Sequence, residues 1–330
     1  MNHLLPWLGA VIFLAVTFDF SNGMHDAANA IATTVTTRAL SLGRAVVMAA
    51  VLNLVGAFVS TTVAQFVGKG LVSADLVSLP TVAAALIGAI GWNLLTWYYG
   101  LPSSSSHALI GGLLGAALFT LGGQAIHVAG LTKTLLGLVC SPLLGFAGAY
   151  GLMWVLLKTL ADRPFTPLMR GFRRLQLVSA AFMAFSHGSN DAQKTMGVVT
   201  LALVSGHFLP KSASVPLWVI LLSASAMALG TATGGWRIIK TVGSKLVDLS
   251  PAHGFAAETA ASAVILIATR FGLPISTTHV IASAILGVGS TRRAHSVRWG
   301  IALNILLAWV LTIPGAGLLA GLTALLFRHL

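Results

Sequence analysis

Two aspartates, Asp26 and Asp191, lie in nearly duplicate polar motifs within otherwise apolar sequence. The motifs read SNGMHDAAN from Ser21 to Asn29 and SHGSNDAQK from Ser186 to Lys194. A carboxylate at membrane depth is costly and by default marks a substrate or ion pathway. The duplication therefore predicts that both carboxylates serve one site.

A second pair of motifs, rich in hydroxyl groups, follows each aspartate motif in the same order. They read GLPSSSSH from Gly100 and GLPISTTH from Gly272. Proline suits the first turn of a helix, where free amide hydrogens and the helix dipole favour an anion. Two such helix starts facing each other would hold a small oxyanion. The candidate hydroxyl donors are Ser104, Ser105, Ser106, Ser276, Thr277 and Thr278.

The carboxylates need a different role, because a bare carboxylate repels an anion. They become useful if a cation is bound with the anion, or if the anion brings a proton, as phosphate does near neutral pH and sulfate does not. Asn29 and Asn190 can donate to anion oxygens or present carbonyls to a cation. Lys194 can pair with Asp191, occupy a cation position or move protons. The candidate ligands of a coupling cation, sodium included, are Asn22, Asp26, Asn29 and Asp191.

The composition indicates the class of protein that must position these groups. Hydrophobic residues make up 56% of the chain and charged residues 8%, and the mean hydropathy is +0.91. Such a chain cannot cover a water-facing surface in the ordinary way. Apolar runs long enough to cross about 30 Å of hydrocarbon recur throughout. We expect an all-α polytopic protein of the cell membrane, with lipid around it and roughly 10–12 membrane segments. The first apolar run reads as a retained segment rather than a signal peptide.

The net charge of +12 reflects membrane orientation better than nucleic-acid binding, because most of the 19 Lys and Arg residues lie in short loops. The single cysteine, Cys140, excludes a disulfide within one chain. No cofactor is expected beyond a co-transported ion. Small residues such as Gly111 and Gly115 permit close helix packing within one chain or in a homo-oligomer.

The motif order divides the chain into a first repeat at 1–157, a basic cytoplasmic linker at 158–175 and a second repeat at 176–330. Counting crossings from the linker gives each half an odd number, so the halves are inverted and both termini are external. The Asn22-Gly23 and Gly188-Ser189 pairs predict broken helices. Basic residues placed outside by this count are Lys69, Lys133, Lys211, Arg270 and Arg328, while Arg292 and Arg293 fall inside.

The four motifs together resemble those of the inorganic phosphate transporter (PiT) family, and the match in order spans nearly the whole chain. The resemblance implies an inverted-repeat symporter of phosphate driven by sodium or protons, with the Asn-Asp motifs and Ser/Thr helix starts forming the site. The family pattern has asparagine in both copies, whereas the second copy here has Lys194. Both coupling ions therefore stay open, as does transport of a neutral divalent-metal phosphate, known in some bacterial members.

Other readings remain beside this one. The family also resembles sulfate permeases, so a sulfate or other oxyanion permease is the first alternative. An intramembrane hydrolase lacks a nucleophile-elbow pattern, and a passive channel would need a continuous polar path. His25 and His187 are metal-ligand types, yet no second ligand stands out at helical spacing. The roles of His107, His279 and the intramembrane acid Glu258 stay undecided from sequence.

Overall fold

The computed structural model describes residues 4–291 and 296–328, and helices make up nearly all of that range. Within it there is no strand, only two isolated bridge contacts. The predicted inside residues Arg292 and Arg293 lie outside the described residues. The α-helices are α1 Leu4–Thr36, α2 Leu42–Gly56, α3 Thr62–Gly70, α4 Leu79–Tyr98, α5 Ser105–Leu121, α6 Val128–Thr159, α7 Phe165–Ser205, α8 Leu217–Thr233, α9 Trp236–Lys240, α10 Pro251–Arg270, α11 Thr277–Ser290 and α12 Trp299–Phe327. A 3₁₀ turn, Gly122–Ala125, follows α5, and a π-helical turn, Thr241–Lys245, follows α9.

Among the described residues, six helices are long and apolar enough to cross a membrane: α1, α4, α5 with its 3₁₀ turn, α6, α10 and α12. The segment Trp236–Lys245, which consists of α9 and the π-helical turn after it, meets α8 at a 62° bend. A seventh span results if α8 and this segment are one broken helix. The expected 10–12 segments included shorter apolar helices such as α2 and α11, which fall below this length. The all-α polytopic membrane fold is confirmed.

The predicted helix breaks at Asn22-Gly23 and Gly188-Ser189 are wrong, because α1 and α7 run through them without interruption. These glycines instead lie where helices cross. A Cβ added to Gly23 would lie 2.2 Å from the backbone oxygen of Met227 in α8, and one added to Gly188 would lie 2.2 Å from that of Asn53 in α2. Both glycines are needed for close helix approach rather than for a bend.

The two halves exchange their last helices. Helix α12 of the second half packs against α4 and α5, whereas α6 of the first half packs against α10 and α11. Gly115 of α5 lies directly against Gly317 of α12, so this small-residue stretch packs within the chain. The predicted linker 158–175 is helical from Phe165 onward, because α7 begins there. Two buried apolar clusters result, and each contains helices from both halves.

Helices α5 and α11 begin in the same way, and both bring hydroxyl groups into the protein. Ser104 caps α5 by accepting from the amide of His107, and Ser276 caps α11 by accepting from the amide of His279. The predicted location of proline in the first helical turn is wrong. Pro102 and Pro274 precede the capping serines by two residues, in the non-helical segment before each helix.

Candidate functional site

All four motifs meet in one buried site. Helices α1 and α7 bring the two aspartates, while the starts of α5 and α11 bring the hydroxyl groups. The 11 residues predicted to bind phosphate, from Asp26 to Thr278, are all buried. Asn22, the remaining predicted cation ligand, is buried as well. The structure therefore brings the predicted residues into one region, where several of the hydroxyl groups are hydrogen bonded to the two aspartates.

Asp26 receives hydroxyl groups from both halves of the chain. Ser105 donates to its Oδ2 at 3.2 Å, and Thr278 donates to its Oδ1 at 3.1 Å. Asn29, one turn further along α1, donates to the Thr278 hydroxyl at 2.9 Å. His25 Nδ1 lies 2.8 Å from Asp26 Oδ1. The first carboxylate is thus held by a polar network that joins α1, α5 and α11.

Asp191 lies in a parallel arrangement that includes a buried ammonium group. Thr277 donates to its Oδ2 at 2.9 Å, as Ser105 does to Asp26. Lys194 forms an ion pair with its Oδ1 and is itself only 2% exposed. The Lys194 ammonium also donates to the Ser106 hydroxyl and, at 2.9 Å, to the carbonyl of Ile275. A carboxylate, a hydroxyl and a carbonyl are oxygen ligands that a hard metal cation would use, so the ammonium occupies a cation position.

His187 contributes a metal-ligand type that the sequence analysis discounted. Its Nε2 lies 3.2 Å from Asp191 Oδ2, because the two residues are four apart on α7. Asp191 is therefore a second ligand at helical spacing, contrary to the sequence-based expectation, and the i,i+4 separation is the signal that pointed to it. Asp26, His187 and Asp191 offer ligand atoms that all lie within 4.8 Å of one another. The two carboxylates thus come from different halves to one potential cation site.

Several amide oxygens at the site have no hydrogen-bond partner among the described residues. They are Asn22 Oδ1, Asn29 Oδ1 and Asn190 Oδ1, all buried. Asn190 uses its amide hydrogens for the Thr269 hydroxyl at 2.9 Å and the Leu273 carbonyl at 3.3 Å. A buried polar atom without a partner is costly, so these oxygens are available to a cation or a protonated substrate. Thr269 was missed because it lies outside every motif.

Other polar residues singled out from the sequence lie around this site or apart from it. Asp19 lies about one turn before Asn22 on α1, and both of its carboxylate oxygens lack a partner with good hydrogen-bond geometry in the described structure. Glu258 lies in a separate network, where it accepts from Thr33, Thr34, Gln176 and Ser179. The His107 and His279 rings stack with centroids 4.3 Å apart, just beyond the hydroxyl groups. None of these three groups is hydrogen bonded to Asp26 or Asp191.

A helical membrane fold around a buried, paired polar site defines a multi-pass membrane protein of the transporter type. The chain matches the model of the phosphate transporter family at residues 22–171 and 165–320, and it belongs to that family. The resemblance noted from the motifs is confirmed.

Its relatives agree with this assignment. A protein of Bacillus subtilis named "Probable low-affinity inorganic phosphate transporter" is 44% identical over 95% of both chains. A protein of Rhizobium meliloti with the same name is 47% identical over 96% of this chain and 95% of its own. A solved structure described as "The sodium-dependent phosphate transporter" shares the fold, with a TM-score of 0.89 over 98% of this chain and all of the other, at 24% identity. Family membership supports phosphate transport, and the family consists of transporters rather than enzymes.

Proposed function

We propose that the protein is a secondary active transporter that imports inorganic phosphate together with a cation. The observation that carries this proposal is the pairing of hydroxyl donors with carboxylates, Ser105 with Asp26 and Thr277 with Asp191. The same hydroxyl groups that suit an oxyanion are held by two carboxylates. Phosphate and the carboxylates therefore compete for one set of donors.

This competition gives a physical reason for coupled transport. When phosphate accepts the hydroxyl hydrogens, Asp26 and Asp191 lose those hydrogen bonds while an anion comes close. A phosphate anion that binds these hydroxyl groups lies close to the carboxylates, and like charges this close repel strongly in a poorly solvated site. A proton or metal cation at the carboxylates removes the repulsion. Binding of the anion and of the cation then favour each other, which is the requirement for symport.

Lys194 bears on which cation is used. Its ammonium already neutralises Asp191, so the second half does not need a mobile cation there. Within the described part of the chain Asp26 has no such ammonium partner, and the Asn22 and Asn29 oxygens that lack a partner there lie on the same helix. We infer that the coupling cation, a proton or sodium, binds at Asp26. Asp26, His187 and Asp191 further suit a divalent metal that enters as a neutral phosphate complex.

The transport cycle follows from how the halves are built. We propose that they are inverted repeats with both termini external, and that one body rocks against the other around the shared site. The alternation is required because the site residues are buried in this conformation. A channel would keep a polar path open through this region. Counterflow of labelled phosphate against an unlabelled load separates the carrier from a channel.

Uptake of labelled phosphate into proteoliposomes tests the proposal. It is run with an inward sodium gradient, with an inward proton gradient and with neither, and with excess unlabelled phosphate or sulfate as competitor. We expect gradient-driven uptake that phosphate blocks and sulfate spares, and that Asp191→Asn abolishes. Competition mainly by sulfate would favour the sulfate permease, and indifference to both gradients would contradict symport.

A substitution at Lys194 tests its role in cation choice. Lys194→Asn gives the second motif the residue that the first has at Asn29. If the ammonium substitutes for a cation, this variant requires one additional cation per phosphate and acquires a steeper dependence on the driving gradient. Lys194→Arg keeps the charge and serves as the control. An unchanged gradient dependence in Lys194→Asn would contradict the inferred role.

A further inference from the structure

A basic cavity opens between helix α3, the first turns of α6 and the end of α10. It has a volume of about 580 Å³. Lys69, Lys133 and Arg270 line it, and none of the described residues that line it is acidic. Thr62 and Gly272 belong to its polar wall. These three cations were assigned to the outer side from sequence, and the structure places them around one opening.

The positive charges of this cavity are not neutralised by carboxylates. Lys69 Nζ donates to the carbonyl of Ala213 at 3.4 Å, and Lys133 Nζ lies 5.1 Å from the centre of the Phe66 ring. None of the ion pairs found in residues 4–291 and 296–328 involves Lys69, Lys133 or Arg270. By contrast, Lys211, on the same end of the molecule, pairs with Asp75. Three unneutralised cations around one concavity attract anions.

The wall of the cavity is connected directly to the buried site. The Thr62 hydroxyl donates to the carbonyl of Thr269 at 2.8 Å, and the Thr269 hydroxyl accepts from Asn190 at 2.9 Å. Gly272 precedes Leu273, whose carbonyl also accepts from Asn190. One residue, Thr269, therefore separates the cavity wall from the residue next to Asp191.

The corresponding turn before α5 is contacted by a different segment. Gly100 and Gly272 both have a left-handed φ of 65°. At Gly100, the Thr241 hydroxyl donates to the glycine carbonyl at 3.0 Å, and Arg237 binds the neighbouring carbonyl of Tyr98. Arg237 and Thr241 thus pack against the first turn much as Thr62 packs against the second, and it is the Gly272 turn that lines the basic cavity. The Gly272 turn is therefore the one that lies beside the positive charges of the cavity.

We propose that this cavity is an outer vestibule that binds the phosphate oxyanion weakly and delivers it past Thr62 and Gly272 to Asn190. The vestibule rests on the proposed import of phosphate. It acts by raising the local concentration of the anion, so it lowers the KM for uptake and leaves the maximal rate unchanged. Its effect depends on ionic strength, since the Debye length falls from ~30 Å at ~0.01 M salt to ~3 Å at ~1 M.

Neutralising the three cations tests this assignment. We expect Lys69→Gln/Lys133→Gln/Arg270→Gln to raise the KM for phosphate by about tenfold at ~0.01 M ionic strength, with the maximal rate within about twofold of wild type. The increase in KM should shrink to less than about twofold at ~1 M salt. Lys211→Gln is the matched control, because that lysine already pairs with Asp75, and its KM should not change. An unchanged KM in the triple variant, or a loss of maximal rate alone, would overturn the proposal.

A chemical test varies the charge without relying on the triple variant. In a Cys140→Ser background, Lys69→Cys is modified from outside with an impermeant thiosulfonate reagent. A sulfonatoethyl group, which is negative, should raise the KM further, and a trimethylammonioethyl group, which is positive, should restore it. Equal effects of both reagents would overturn the proposal. If wild-type protein takes up no phosphate at all, the proposed function has failed; normal wild-type uptake with charge-independent KM means that only the vestibule has.

Discussion

At the scale of single residues, the site depends on how buried charges are compensated. Asp26 is held by the hydroxyl donors Ser105 and Thr278 and lies beside the His25 ring, whereas Asp191 is stabilised by the Lys194 ammonium. Removing one partner of a buried ion pair leaves an uncompensated charge, which is more harmful than removing both. The two aspartates are therefore related in position but differ in the charge around them.

Lys194→Ala should destabilise the protein by about 3–5 kcal/mol, because Asp191 then keeps a buried charge with no ammonium beside it. The double variant Asp191→Asn/Lys194→Ala should recover part of that loss. Thermal unfolding of purified protein in detergent measures both. A double variant that is no more stable than Lys194→Ala would show that the ammonium stabilises through contacts other than Asp191.

Glu258 also acts at the residue scale, as the acceptor of a buried network between α1, α7 and α10. It accepts from Thr33 at 2.5 Å, Thr34 at 2.7 Å and Gln176 at 3.1 Å, and Ser179 donates to its other oxygen. Glu258→Ala leaves these donors without an acceptor, at a cost of about 1–3 kcal/mol for each unsatisfied group.

We expect the thermal stability to fall in the order wild type, Glu258→Gln, Glu258→Ala, because the amide keeps one acceptor oxygen. Asp248→Ala is the matched control, since Asp248 forms an exposed ion pair with Arg298 that contributes at most about 1 kcal/mol. A Glu258→Ala variant as stable as Asp248→Ala would contradict a structural role for this network.

At the scale of elements, helix crossings position the two aspartate motifs. The glycine in each motif lies at a crossing, Gly23 against α8 and Gly188 against α2. Each crossing lies within a turn of the aspartate that follows it, so the depth and rotation of Asp26 and Asp191 depend on these contacts. The motif glycines are thus part of the site through packing rather than through flexibility.

Gly23→Ala and Gly188→Ala should each destabilise the protein by about 1–3 kcal/mol and reduce uptake, because the new methyl group would meet a backbone oxygen of the crossing helix. Gly9→Ala in α1 and Gly151→Ala in α6 are controls in which the added group meets nothing within 4 Å. Stability is measured by thermal unfolding, and uptake in proteoliposomes. Tolerance of alanine at both motif positions would mean that the crossings do not set the site.

At the scale of the whole molecule, neither half has a core of its own. Helix α12 packs on α4 and α5, and α6 packs on α10 and α11, so each apolar cluster is completed by the other half. Because of this exchange, α5 packs with α4 and α12, whereas α11 packs with α6 and α10. If one of these two groups of helices moved against the other, the hydroxyl groups at the start of one helix would move relative to the aspartate of the other half.

Cutting the chain in the exposed connection at 160–164 tests the exchange. We expect the pieces 1–161 and 162–330 to assemble when expressed together, to copurify through a tag on one piece and to restore uptake. Each piece alone should be degraded or aggregate, because its exchanged helix and its α4–α5 or α10–α11 pair lack their partners. A single piece that remains folded by thermal unfolding would contradict the interdependence of the halves.

The membrane class and nearly every polar residue at the site could be predicted from the sequence and its paired motifs. This was possible because polar groups in an apolar background are costly and so stand out locally, as Asp26 and Asp191 do. Only the tertiary structure decided which groups meet. Thr278 reaches Asp26 from the other half, Thr269 joins Asn190 to the basic cavity, and the glycines lie at crossings instead of breaks. These contacts join residues far apart in the chain, and they depend on how helices cross and exchange, which local patterns do not specify.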